Sequence, residues 1–139
     1  MTLHIVSDVD HAAESGRDLL NRLVGANRPV IGAPNYQPIV LLAKREEEQV
    51  GGVSGYSLYG WLHVEVLWVA ETERKKGIGR DLMTQVEEVA RQRNCAGIYL
   101  DTFDFQTPSF FERLGYRCFA QLPNWANGHD RLSYRKFLS

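Results

Sequence analysis

The sequence is short of several features that mark whole classes of protein. Its 16 lysines and arginines face 17 acidic residues, and the resulting net charge of −1 gives no basic field for a nucleic-acid backbone. Only two cysteines occur, Cys95 and Cys118, which are too few for a disulfide framework. No apolar run is long enough to span a bilayer, and the start "MTLHIVSDVD" lacks the cationic and apolar parts of a signal peptide. These absences predict a cytoplasmic protein that binds neither nucleic acid nor membrane.

The features that are present indicate a single domain over residues 1–139. Hydrophobic residues make up 44% of the chain, which suits one core at this length. The order of strand-like and helix-like runs is β-α-β-β-β-α-β-α-β-β, which predicts an α+β (α/β mixed sheet) fold with a central, mostly antiparallel sheet. We expect strands at 3–6, 38–46, 50–59, 61–70, 96–103, 116–122 and 131–138, and loops at 25–38 and 123–130. Helices are expected at 12–24, 78–90 and 107–115, the last with Thr107 as its cap.

The third central strand, 61–70, alternates in a way that assigns its faces. From His63 onward, alternate residues fall on opposite sides of a strand. This places His63, Glu65, Leu67 and Val69 on one face. Val64, Val66 and Trp68 take the other face.

The segment "RKKGIG", residues 74–79, stands directly before a predicted helix. A helix N-terminus presents unpaired backbone amides and the positive end of the helix dipole, and glycines let an anion approach them. The turn therefore suits a phosphate group, although two glycines alone also fit a plain tight turn. The P-loop pattern is absent. The dinucleotide fingerprint lacks its third glycine, which is Leu82 here, and retains only Asp101 at the distance of a ribose-binding acid.

"RKKGIG" together with "FFERLGY", residues 110–116, resembles the GNAT superfamily of acyl-CoA-dependent N-acyltransferases. "LDTFDFQTPSFFERLGY" and "GHDRLSYRKFL" are similar to a subgroup of small bacterial acetyltransferases. The resemblance implies a GNAT-like fold with helices on both faces of a sheet that splays between the strands at 61–70 and 96–103. It also implies acetyl-CoA as cosubstrate and direct acetyl transfer to a primary amine of a small molecule or peptide, with a homodimer as an open possibility.

The resemblance also assigns roles to individual residues. The amides from Lys75 to Arg80 would bind the pyrophosphate of the cofactor, and the main chain of 67–69 would pair with its pantetheine arm. The implied cofactor-binding residues are Leu67, Trp68, Val69, Arg74, Lys75, Lys76, Gly77, Ile78, Gly79 and Arg80. His63 and Glu65 are the candidates for the catalytic base. No metal is expected, because the histidines at 4, 11, 63 and 129 show no ligand spacing.

One position departs from the family pattern. Relatives usually carry a tyrosine at the position of Phe111, and its hydroxyl protonates the departing thiolate. Water, Tyr116, Tyr134 or unaided departure would have to serve instead. The alternative function is therefore a catalytically weak acetyl-CoA-binding module. The candidates for lining an acceptor pocket are Trp61, Phe103, Phe105, Trp125 and His129, although each of them also fits ordinary packing.

Overall fold

The computed structural model describes residues 2–138 and divides the chain into two compact units, Met1–Pro34 and Asn35–Ser139. The first unit contains helix α1, Ala12–Ile31, none of whose residues is buried. Residues 3–6 form no strand, contrary to expectation, because four alternating residues are too short a signal without a pairing partner. The predicted loop at 25–38 is helical as far as Ile31. Gly25 costs a helix only about 1 kcal/mol, and Pro29 leaves only one carbonyl of the helix without its partner. A single domain over the whole chain stays a prediction.

The second unit is built around one six-stranded sheet. Its strands are β1 (Gln37–Arg45), β2 (Glu48–Leu58), β3 (Trp61–Val69), β4 (Gly97–Phe103), β5 (Arg117–Ala126) and β6 (His129–Phe137). A short 3-10 helix (Glu71–Glu73) and α2 (Ile78–Gln92) lie between β3 and β4, and α3 (Ser109–Arg113) precedes β5. The strand order is β1-β2-β3-β4-β6-β5, and all pairs are antiparallel except β3 with β4. The mixed α+β sheet predicted from the sequence is confirmed.

Two local predictions near the C-terminal half are wrong. The expected loop at 123–130 is mostly strand, since β5 extends to Ala126 and β6 begins at His129. Thr107 does not cap α3, because the N-cap residue is Pro108 and Thr107 has a left-handed φ of 55°. No side-chain hydrogen bond caps this helix.

The sheet splits between its two parallel strands. β3 pairs with β4 only from Trp61–Gly97 to Val64–Leu100, and no pairing joins the two strands beyond that point in the described residues. This confirms the predicted splay. The part of β3 from Glu65 to Val69 therefore presents one unpaired backbone edge toward the split.

One hydrophobic core holds the walls of the split in place. From α2, Leu82, Met83 and Val86 contribute side chains that are at most 5% exposed. The sheet contributes residues from five of its strands, β1 to β4 and β6, and α3 contributes Phe111. The core residues of the sheet are Ile39, Val53, Leu62, Val64, Ile98, Leu100 and Tyr134. Burial of apolar surface on this scale fixes β3, β4 and α2 relative to one another.

Candidate active site

A β-bulge interrupts β3 where its pairing with β4 ends. Ser54 of β2 pairs with Val66 and Gly55 pairs with Val64, so Glu65 is an extra residue without a partner on β2. Glycine is required opposite the bulge, since a β-carbon on Gly55 would collide with the carbonyl oxygen of His63. Gly55 therefore allows the backbones of β2 and β3 to approach each other closely at the bulge.

The bulge reverses the faces of the second half of β3. Leu67 packs against the core, whereas Val66 and Trp68 are 54% and 46% exposed. The prediction that His63, Glu65, Leu67 and Val69 share one face is therefore wrong beyond Glu65. Strict alternation cannot reveal an extra residue, because the bulge is defined only by pairing with β2.

His63 lies between aromatic side chains and is half-buried. Its ring stacks on Tyr99 with centroids 4.4 Å apart, and Tyr56 contacts its edge at 5.3 Å. Burial lowers the pKa of His63 despite the opposing influence of the Asp101 and Glu65 carboxylates. Its Nδ1 is buried and has no hydrogen-bond partner in the described part of the chain. A neutral imidazole of this kind can accept a proton at neutral pH.

His63 and Glu65 open into a cleft of about 300 Å³. The structure thus brings both proposed base residues together. Asp101 and Arg131 complete its polar lining, and Val64, Phe103 and Trp125 form its apolar lining. His63, Asp101 and Phe103 alternate with buried Leu62, Leu100 and Thr102, so the cleft lies mainly on the sheet face opposite α2.

The charges of the cleft are partly paired. Asp101 accepts hydrogen bonds from Ser133 Oγ and Arg131 Nη2. Burial raises the pKa of Asp101, but these two hydrogen bonds outweigh burial, so the pKa lies below its ordinary value. The same Arg131 guanidinium lies 5.4 Å from the centre of the Trp125 ring. Because Arg131 neutralises Asp101, Glu65 leaves the cleft with one carboxylate in excess.

The glycine turn has the geometry of an anion site. Gly77 is the N-cap residue of α2 with a left-handed φ of 88°, and no side chain caps the helix. The amides of 78–80 have no backbone acceptor among the residues that the structure describes. Lys75, also left-handed with φ 64°, is exposed beside them. The turn thus offers free amides at the positive end of a 15-residue helix.

Buried Glu73 anchors this turn through contacts with two basic side chains. It accepts a two-fold hydrogen bond from Arg45, at 2.9 and 3.1 Å, and lies 3.6 Å from Lys76 Nζ. Arg74 Nε donates to the carbonyl oxygen of Val69 at 3.1 Å. Of the cations before the glycines, Arg74 and Lys76 therefore fix the local chain, and Lys75 stays exposed next to the free amides.

Gly79 is required for packing as well as for access to the turn. A β-carbon at this position would lie 3.2 Å from Cζ of Phe110 and 3.9 Å from Cγ2 of Val69. The first turn of α2 is thus pressed against α3 and the end of β3. The second glycine of "RKKGIG" therefore joins the anion site to the segment that carries Phe111.

Phe111 points into the core. It is 7% exposed, with ring centroids 5.0 Å from Phe110, 6.0 Å from Tyr116 and 6.3 Å from Tyr134. Burial raises the pKa of both tyrosines, Tyr116 strongly. Neither hydroxyl lines the cleft.

The aromatic residues proposed for an acceptor pocket divide into three groups. Phe103 and Trp125 line the cleft. Phe105 and His129 lie beside it in mutual contact at 4.8 Å, and His129 Nδ1 is 2.9 Å from Asp104 Oδ1. Trp61 packs elsewhere, on Tyr99 and Phe137.

Sequence reasoning missed Arg131 and gave Asp101 a different role. The sequence does carry a signal for Asp101, because Asp101 and Phe103 lie two residues apart on a predicted strand and therefore share a face. The pairing of Asp101 with Arg131 depends on the neighbouring β6 and is not visible in the sequence. Within residues 2–138 the structure holds no group of three or more potential metal ligands and no helix long and apolar enough to cross a membrane.

Comparison with known proteins gives matches over most of the chain. Residues 10–116 match the model of the acetyltransferase (GNAT) family. An acetyltransferase of Agrobacterium fabrum is 31% identical over 127 residues, which cover 91% of this chain and 92% of the relative. Blasticidin-S acetyltransferase of Streptomyces morookaense is 40% identical over 82 residues, 58% of this chain. The chain spans only 60% of the length of that second relative.

Solved structures share the fold. An acetyltransferase from Bacillus cereus is 29% identical and superimposes with a TM-score of 0.89 over 98% of both chains. An aminoglycoside 6′-N-acetyltransferase complexed with coenzyme A superimposes with a TM-score of 0.65 over 96% of this chain and 97% of its own. At 23% identity, the second likeness is one of fold.

Proposed function

The chain belongs to the acetyltransferase (GNAT) family, and from this premise we propose that it transfers the acetyl group of acetyl-CoA directly to a primary amine of a small molecule. Membership of the family confirms the predicted class of enzyme, an acyltransferase, and its cosubstrate. One observation carries the proposal. A cleft that contains a neutral histidine and an unpaired carboxylate opens beside the split between β3 and β4.

In this proposal the cofactor lies along the split. Its pyrophosphate accepts hydrogen bonds from the amides of 78–80 and Lys75 adds charge, while Gly77 and Gly79 keep side chains out of the site. Its pantetheine arm pairs with the main chain of 67–69, on the edge of β3 that faces the split. Arg74 and Lys76 hold the turn in place through Val69 and Glu73.

The chemistry begins with the acceptor ammonium. Glu65 binds the cation, and His63 removes one proton, directly or through one water molecule. The neutral nitrogen then attacks the thioester carbonyl, and a backbone N–H near Leu67 stabilises the developing oxyanion. The carbon–sulfur bond breaks and coenzyme A departs as a thiolate, while the nitrogen gives up its second proton to the thiolate, directly or through water, which leaves the amide and the free thiol.

A small-molecule acceptor is favoured over a peptide by the size of the cleft. About 300 Å³ lies at the lower end of the range typical of small-ligand pockets. Blasticidin-S acetyltransferase, 40% identical over its aligned part, carries a small-molecule substrate in its name. A peptide would extend beyond the seven residues that line the cleft.

A second candidate function is that of an acetyl-CoA-binding module with weak catalysis. It is favoured by the burial of Phe111, Tyr116 and Tyr134, none of which presents a hydroxyl to the cleft. In that case the turn and the split would serve binding alone. The two functions differ in turnover and not in cofactor affinity.

The test is the release of free thiol from acetyl-CoA in the presence of a panel of small primary amines and short peptides. We expect amine-dependent thiol release with small amines, and N-acetylated product by mass spectrometry. The control is the His63→Ala variant, once calorimetry has shown that it binds the cofactor as tightly as the parent protein does. Cofactor binding without release for any amine would establish the binding module instead.

A further inference from the structure

We propose that the acceptor amine carries a flat ring, which packs against the wall formed by Phe103 and Trp125 while its ammonium group reaches Glu65. This inference rests on the proposed function and names the substrate class of the same cleft. It starts from the uneven distribution of aromatic and charged side chains around the cleft. The aromatic side chains of the cleft lie together on one side, and the unpaired carboxylate lies on the bulged strand.

The wall is continuous and accessible. Phe103 contacts Trp125 with centroids 5.1 Å apart and stacks on Phe105 at 5.4 Å with an angle of 5° between the planes. Trp125 is 47% exposed although its ring touches both Phe103 and Arg131. An aromatic surface left half open at a cleft suits a flat partner, because stacked rings gain more than their buried area alone provides.

Trp125 reaches the cleft because β5 carries a large bulge. Leu122 pairs with Arg131 and Ala126 with His129, so the three residues from Pro123 to Trp125 stand opposite Asp130 alone. Asn124 has a left-handed φ of 53° within this bulge. In a regular hairpin, strand alternation would determine the face of the sheet on which Trp125 lies. Here the bulge determines it instead.

Asp130 holds the bulge in shape. One carboxylate oxygen accepts from the amide of Asn124 at 3.0 Å, and the other accepts from Gln121 Nε2 at 2.6 Å. The backbone amide of Asp130 in turn donates to Asp104 at 2.9 Å. Asp130 does not itself line the cleft, so it is a positioning residue for Trp125.

The charge of the cleft selects the other end of the acceptor. Arg131 is engaged by Asp101 and covers Trp125, and the pKa of His63 is lowered. Glu65 therefore has no cationic partner in the cleft, which favours an ammonium group over an anion. A planar ring joined by a short linker to an amine meets both requirements.

The test uses two acceptors with the same carbon connectivity, 2-phenylethylamine with a flat aromatic ring and 2-cyclohexylethylamine with a puckered saturated ring. Binding to the protein with coenzyme A present is measured by calorimetry, and acetylation is measured separately. We expect the flat acceptor to bind roughly 3- to 10-fold more tightly, a ratio that corresponds to one aromatic contact. The Trp125→Ala variant should remove this ratio.

Two variants separate the wall from general effects on the fold. Phe119→Ala removes another exposed aromatic of β5 and should leave the ratio unchanged. Asp130→Ala should lower the ratio as Trp125→Ala does while the affinity for 2-cyclohexylethylamine is retained, and Asp130→Asn should restore part of it through its side-chain oxygen.

The outcomes distinguish this inference from the proposed function. Equal affinity for the two amines, or no binding of either, overturns the flat-ring acceptor even if other amines are acetylated. Selective binding of the flat amine without acetylation supports the wall and counts against the transferase. A ratio that survives in Trp125→Ala also overturns the inference.

Discussion

The two faces of the sheet are built in opposite ways. On the face that packs against α2, Leu62, Val64, Ile98 and Leu100 are at most 3% exposed. On the other face, His63, Tyr99, Asp101 and Arg131 are half-buried and held by stacking and hydrogen bonds. Apart from Arg131 on β6, the two sets alternate along β3 and β4.

The difference separates two tasks. Close packing under α2 fixes the split and the glycine turn, which we assign to the invariant part of the reaction, the cofactor. The polar face bears the groups that we assign to the acceptor, and these groups are more exposed than the core residues. A change on the first face is expected to cost folding or cofactor binding, and a change on the second face to alter chemistry or selectivity.

The largest effect is expected on the open face. His63→Ala should lower kcat by roughly 10²–10⁴, because it removes the proton acceptor from the cleft. Affinity for acetyl-CoA, measured by calorimetry, should not change. As a companion, Glu65→Gln should raise KM for the amine, since it removes the negative charge that holds the ammonium. Parent rates in both variants between pH 6 and 9 would place proton removal elsewhere.

The glycine turn should respond through the cofactor. Gly79→Asp brings a negative charge to the amides that we assign to the pyrophosphate. Loss of two charge-assisted hydrogen bonds, at roughly 1.5–3 kcal/mol each, weakens binding by about 100-fold or more. Calorimetry with coenzyme A measures the change. Gly79→Ala, which meets Phe110 without adding charge, separates steric from electrostatic effects. An unaltered affinity in a folded Gly79→Asp protein rules out this pyrophosphate site.

The same substitution on opposite faces should give different stabilities. Val53 is 2% exposed in the core of β2, and Val40 on neighbouring β1 is 63% exposed. Val53→Ala should lower the free energy of unfolding by roughly 2–3 kcal/mol, from lost burial and the remaining cavity. Val40→Ala should stay within about 0.5 kcal/mol of the parent. Urea unfolding measures both, and equal losses would show that the two faces are not distinct in packing.

Restoring the family's tyrosine should disturb the packed face. Phe111→Tyr adds a hydroxyl to a ring that is 7% exposed. If this group finds no partner, the free energy of unfolding falls by about 1–3 kcal/mol. Urea unfolding gives this loss, and the rate of thiol release shows whether the hydroxyl reaches the thiolate. A more stable variant with a faster rate would mean that the ring turns toward the split.

The smallest effect concerns the pH profile. Because burial lowers the pKa of His63, the folded protein keeps this imidazole neutral to a lower pH than an unfolded chain does. The acid limb of kcat/KM should therefore lie below pH 6.5, the ordinary value. For the same reason, the free energy of unfolding should fall slightly as the pH drops below 6.5, because the unfolded chain takes up the proton at a higher pH than the folded protein does. Tyr99→Ala, which exposes the stacked ring, should move the limb back toward 6.5, and a limb already above 6.5 in the parent contradicts the shift.

Much of the fold could be predicted because its signals are local. Alternation in β3, the helical repeat after Gly77 and the glycine turn lie within short windows, and each indicates its element without distant contacts. The family was recognisable for a related reason, since the turn and "FFERLGY" are contiguous segments. The first helix was predicted too short, because its breakers Gly25 and Pro29 proved weaker than the tendency to continue the helix.

What the sequence by itself determined is therefore the order of elements from β1 to β6, the glycine turn before α2 and the presence of His63 and Glu65 on the strand beside the split. Only the tertiary structure decided which side chains meet. The bulge at Glu65 turned Leu67 to the core, and the bulge at Pro123–Trp125 brought a tryptophan to the cleft from a predicted loop. Both bulges exist only as a mismatch between two paired strands. Pairing between strands is a non-local property, so no window of either strand alone contains it.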